Sequence, residues 1–231
     1  MAGAGLSLSD LFAAVAERMR QEREVFNQAD TYNGDHGDHM VAIFEIASQA
    51  AQDASLLKSS AQPTSELATA MQSAAENLRS LQENNSAQLY AIGLESFARQ
   101  FARNEVSLEE LDRYVRSVLR EGSGKPDSQD AAGALSSSSL TSSGKVLRAL
   151  VAGINGWQAA SGPQEGAGGS DMNLQRMFDL GMIYYEAKRR GGTKAQVLAE
   201  AAVEASPLKD VSYRAESGKL ALRTLLEELR K

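Results

Sequence analysis

Apolar residues recur along this chain at intervals of three and four, the period of one face of an α-helix. Leu8, Leu11, Phe12, Val15 and Met19 make a first stripe, which restarts at Met40 with Ile43, Phe44, Ala47 and Ala51. Leu67, Ala70, Met71, Ala74 and Leu78 make a third, entered through Pro63-Thr64 with Thr64 as its expected N-cap. After the polar break "QENNS" comes a fourth helix with Leu89, Ile92, Phe97 and Phe101 inside it. Ser107-Leu108-Glu109-Glu110 has the form of a capping box and opens a fifth, carrying Leu111, Tyr114, Val115 and Val118.

The composition then shifts. The run "EGSGKPDSQDAAGALSSSSLTSSG" is rich in Gly, Ser and Asp and holds Pro126, which predicts a mobile loop at about residues 121–143. Val146, Leu147, Leu150, Val151, Ile154 and Trp157 resume the helical period until "SGPQEGAGGS" breaks it. Two further helices are predicted, "NLQRMFDLGMIYYEAKRR", stopped by Gly191-Gly192, and "KAQVLAEAAVEA", stopped by Ser206-Pro207. A last one runs from about Glu216 to Lys231. Good helix formers abound and prolines number four, so the expected fold is all-α: an antiparallel eight-helix bundle or barrel, with room for one extra short helix, in a single domain over residues 1–231.

A net charge of −6 argues against binding a nucleic-acid backbone as the main role, while leaving room for a local basic pocket around one phosphorylated small molecule. With no cysteine, the chain offers no thiolate metal site, disulfide or thiol nucleophile. No basic-then-apolar leader is visible and no apolar run is long enough to span a bilayer, so the expectation is a soluble, cytoplasmic protein. Gly144-Lys145 is not a phosphate-binding P-loop, since Ser139 and Val146 stand where Gly and Ser or Thr are required, and Gly124-Lys125 runs into Pro126.

One stretch departs from the helical pattern. "DTYNGDHGDHM", residues 30–40, gathers Asp30, Asp35 and Asp38 with Gly34, Gly37 and the chain's two histidines, His36 and His39. Such residues are common turn formers and read, at their simplest, as a connector between two helices. Three like charges in a tight turn repel one another, however, unless a cation lies among them. Glycines at 34 and 37 let the chain fold back so that the carboxylates converge. Converging carboxylates suit a hard divalent cation such as Mg²⁺. With the imidazoles, a transition metal is the other candidate.

The turn resembles the motif Asp-x-x-x-Gly-Asp-x-Asp-His-Gly-x-Asn-Met of the dihydroxyacetone kinase L-subunit family, DhaL. Asp30, Gly34 and Asp35 match its first half; Asp35-His36-Gly37 and Met40 match its second, as though two residues were deleted and Asp38 supplied the missing carboxylate. Asn84-Asn85-Ser86-Ala87-Gln88-Leu89-Tyr90 is similar to the family's Gly-x-Ser-Gly-x-Leu-Tyr; read without the family, Ser86 is simply an N-cap. Looser likenesses fall at Ser143-Gly144-Lys145-Val146-Leu147-Arg148 and at Ser212-Tyr213 with Glu216-Ser217-Gly218, while the family's following Asp-Pro-Gly has no counterpart.

The resemblance implies a nucleotide-binding, Mg²⁺-dependent phosphotransferase subunit in an eight-helix barrel, with the nucleotide at one end. Asp30, Asp35 and Asp38 would hold Mg²⁺, and His36, Gly37, Asn85, Ser86 and Ala87 would border the phosphates of ADP or ATP. The partner would be a K-type substrate-binding subunit, with a homo-oligomer also open. No residue is assigned a catalytic role, because phosphoryl transfer rests mostly on positioning and charge neutralisation. The alternatives are a non-catalytic binding or regulatory protein with a degenerate nucleotide site, and an unrelated helical bundle.

Overall fold

In a computed structural model, which describes residues 7–56, 63–120, 142–161 and 174–231, most of the apolar stripes turn inward, with Leu147 and, near Arg190, Met182, Tyr184 and Tyr185 left exposed. Leu8, Leu11, Phe12, Val15 and Met19 are all buried on α1 (Leu8–Gln21). Ser7 caps α1 by accepting the N–H of Asp10. A break at Glu22 separates it from the seven-residue α2 (Arg23–Ala29), a division the periodicity does not predict. Then follow α3 (His36–Leu56), α4 (Pro63–Arg79), α5 (Asn85–Arg103), α6 (Leu108–Arg120), α7 (Ser142–Ser161), α8 (Leu174–Arg190), α9 (Lys194–Glu204) and α10 (Ser212–Arg230). The described residues hold no strand, and the fold is all-α.

Several helix ends follow the sequence signals. Ser107 and Glu110 form the expected capping box, each accepting the other's backbone N–H at 3.1 and 3.2 Å. Gly191 and Gly192 end α8 in the left-handed region, at φ of 87° and 117°. Other ends differ. Thr64 lies within the first turn of α4 rather than at its cap. The last helix starts at Ser212, four residues before Glu216, because Pro207–Asp210 closes a short 3₁₀ turn that brings the chain round early. Most of the predicted 121–143 loop lies outside the described residues; Ser142 and Ser143 already belong to α7.

One apolar cluster draws side chains from α1, α3, α4, α5, α6, α7 and α10. The helix neighbours close on themselves: α1 packs on α3, α3 on α4, α4 on α5, α5 on α7, α7 on α6, α6 on α10, and α10 on α1. Outside that cycle, α9 packs on α10 and α8 on α9. The α5–α7 contact is close because Gly93 faces Trp157 and Gly153 faces Phe97; a Cβ at 153 would lie 2.3 Å from the phenyl ring. No helix among the described residues is long and apolar enough to cross a membrane.

Candidate functional site

The acidic segment divides between a turn and a helix. The turn proper is residues 30–35, with Gly34 at φ 73° reversing the chain, and His36 already opens α3. Gly37 therefore has a different task from the one its place in a turn suggests. A Cβ there would sit 2.0 Å from the Arg23 carbonyl oxygen, so glycine is what lets α2 lie against the first turn of α3.

That approach brings Asn27 onto the helix start. Its Oδ1 accepts the N–H groups of Gly37 (2.6 Å) and Asp38 (3.2 Å), and its Nδ2 donates to Asp38 Oδ2 at 2.7 Å. Asn27 thus caps α3 from outside the helix. Arg23 stands on the other carboxylate oxygen, its guanidinium 3.6 Å from Asp38 Oδ1. Neither residue carries a motif that marks it, although an asparagine in a helical stretch is a signal of sorts, since its side chain favours caps over helix interiors.

The three carboxylates have separate surroundings. Asp30 is buried, and its Oδ1 accepts the Tyr32 N–H at 3.0 Å, while Tyr32 itself is exposed. Asp35 is partly exposed, and its Oδ1 lies 3.2 Å from His39 Nδ1, close enough for an ion pair when the imidazole is protonated but out of line for a hydrogen bond. Asp38 belongs to Asn27 and Arg23. Among the described residues no three His, Cys, Asp or Glu side chains are grouped closely enough to hold a metal ion. Asp30 and Asp35 remain as a pair of carboxylates flanking the turn, and Asp38 faces a different set of partners.

His36 joins this segment to the far end of the chain. It is buried, 2.9 Å from Ser217 Oγ, with its ring 4.6 Å from that of Tyr213 and edge-on to Phe26 at 6.2 Å. Ser217 Oγ also lies 3.1 Å from the Arg214 carbonyl oxygen, to which it donates. Burial pushes the imidazole down to about 4, against the opposing pull of Asp30 and with a smaller push from Arg214 and His39. It is a neutral group at neutral pH, suited to hold α10 against α3. Arg214, in the first turn of α10, keeps its Nε buried and without a partner.

At the second motif, Asn84, not Ser86, caps α5, accepting the Ala87 N–H at 2.9 Å. Ser86 and Ala87 are buried and Asn85 is exposed. The amide of Ala87 is thus already taken, while those of Asn85 and Ser86, the first two of the helix, have no intrahelical acceptor. Tyr90 packs edge-on against Phe44 of α3 at 5.5 Å, so the two motif-bearing helices meet. Gly144–Arg148 is simply the opening of α7, with Val146 in the core.

A groove of about 700 Å³ runs between α2, α9 and α10, lined by Phe26 and Tyr213 together with Val25, Ser212, Glu216 and Lys219. Of the residues selected from sequence, Ser212, Tyr213 and Glu216 of the last family-like segment line it, while Asp30, Asp35, His36, Gly37, Asp38, Asn85, Ser86 and Ala87 do not. Comparison of the chain with protein-family models, with curated proteins and with solved structures finds no match.

Proposed function

We propose that this chain is a divergent phosphotransferase subunit similar to the L subunit of dihydroxyacetone kinase, binding ADP or ATP with Mg²⁺ where α3 meets α10. The observation that carries the reading is the His36–Ser217 contact, which joins the first and last family-like segments across 181 residues of sequence. The Phe44–Tyr90 packing adds the second segment. A cycle of seven helices closes around one core, one fewer than the eight-helix barrel of that family, so the packing supports the reading only as a closed helical bundle.

Mg²⁺ commonly uses one or two carboxylates and fills its octahedron with phosphate oxygens and water. Asp30 and Asp35 would supply the carboxylates, with Asp35 Oδ1, 3.2 Å from His39 Nδ1 but without a hydrogen bond, open to a further partner. When bound, the ion neutralises phosphate charge. The chain's own part is to orient: His36 fixes α10, Asn27 fixes the start of α3, and the Asn85 and Ser86 amides face an anion at the head of α5. The acceptor substrate falls to a separate K-type subunit. A thermal-shift titration with ADP or ATP tests this. Stabilisation is expected when nucleotide and Mg²⁺ are present together and is lost in Asp35→Ala; no shift under any condition overturns the reading.

One observation favours a second reading, a non-catalytic nucleotide or anion binder. Asn27 and Asn84 each occupy helix-start amides that a phosphate would otherwise use. That reading expects stabilisation by an anion irrespective of Mg²⁺.

A further inference from the structure

The turn between α2 and α3 carries a chemistry apart from its carboxylates. Asn33-Gly34 is one of two Asn-Gly dipeptides in the chain, the other being Asn155-Gly156. In such a pair the glycine nitrogen can attack the asparagine Cγ, because no Cβ on the glycine blocks the approach and its backbone turns freely. The two copies stand in opposite surroundings. Asn33 and Gly34 are exposed, beside a Tyr32 that is 91% exposed. Gly34 is at φ 73°, and a Cβ there would meet only the Asn27 carbonyl oxygen, at 3.9 Å. Among the described residues its N–H donates no backbone hydrogen bond. Asn155-Gly156 lies instead inside α7, where the helical ladder takes the Gly156 N–H and a Cβ would sit 2.2 Å from Ser96 Oγ.

We propose that Asn33 is a site of spontaneous deamidation and that the fold spares Asn155. The Gly34 nitrogen forms a bond to Asn33 Cγ and loses its proton, the Cγ–Nδ2 bond breaks, and ammonia leaves, giving a five-membered succinimide. Water then reopens the ring. Cleavage of the new N–Cγ bond gives aspartate; cleavage of the original peptide bond gives isoaspartate, whose main chain runs through the side-chain carbon and is one atom longer. One water is consumed and one ammonia released, with no ligand or enzyme taking part. Either product adds one negative charge to the formal −6, between Asp30 and Asp35. The isoaspartyl form also lengthens the connection into α3, just ahead of His36 and its contact with Ser217. At Asn155 the same ring closure requires the main chain to leave helical geometry and give up hydrogen bonds of α7.

The test is peptide mapping by mass spectrometry of the full chain held folded in mildly alkaline buffer, beside a sample unfolded in urea. In the folded chain the Asn33 peptide is expected to gain one mass unit about tenfold or more faster than the Asn155 peptide, and in urea the two rates are expected to converge. Asn33→Gln, which changes an exposed side chain, is expected to remove the acidic species that wild type accumulates on isoelectric focusing. Equal rates at the two sites in the folded chain, or a faster Asn155, overturn the proposal. So does a gap that persists unchanged in urea, since neighbouring sequence rather than the fold would then set it.

Discussion

At position 37 the side chain has nowhere to go: an added methyl meets the Arg23 carbonyl oxygen at 2.0 Å, and a backbone atom cannot swing aside. Gly37→Ala should therefore push α2 off α3, at a cost of about 1–3 kcal/mol, read as a fall in Tm. His36 makes a pH prediction. Its folded value of about 4 lies below the ordinary 6.5, so the unfolded chain binds the extra proton first. The stability it confers is complete above pH 6.5 and is lost as pH falls toward 4, an effect of up to about 3 kcal/mol. Denaturant midpoints for wild type and His36→Gln, compared across that window, check it: the variant should show the shallower loss. The crowding of acid and imidazole that picks out residues 30–40 is plain in the sequence. That His36 is a buried core histidine is not, because its partner Ser217 lies on the last helix and no local pattern announces it.

Helix boundaries divide by whether their signals are local. The Ser107 box and the Gly191-Gly192 stop depend on residues within a few positions of each other, and both are legible. Asn27 capping α3 from a neighbouring helix depends on tertiary approach, and so could not be read from the residues around His36. Asn27→Ala should cost about 0.5–2 kcal/mol, and Asn84→Ala, which removes the cap of α5, about as much. The two variants differ at the site. Asn84→Ala frees the Ala87 amide, so on the proposed function it should keep or tighten nucleotide binding despite the lower Tm. Asn27→Ala, which also frees Asp38, should alter cation binding as well. Thermal denaturation beside a nucleotide titration separates stability from binding in each.

For the molecule as a whole, period and composition were enough to give an all-α fold, because almost every stripe lies on a helix that uses it. The cyclic order of packing could not be read, since it depends on which helices touch rather than on where each begins. Trp157 is the chain's one tryptophan and is buried between α5 and the 3₁₀ turn, packed with Val203 and Leu208. Its emission should shift red on unfolding, in step with loss of helical circular dichroism. A Gly153→Ala variant, whose methyl meets Phe97, should lower the midpoint of both by about 1–3 kcal/mol.

On the proposed function, the turn at Asp30–Asp35 and the α3–α10 junction form one Mg²⁺-dependent nucleotide site. Isothermal calorimetry of ADP into the full chain, with Mg²⁺ and then with the metal chelated, tests it most directly. One ADP per chain is expected to bind with Mg²⁺, and binding is expected to be lost, or weakened at least tenfold, on chelation. Equal binding in both conditions would support an anion site independent of metal, and no heat of binding in either would contradict a nucleotide site at this turn.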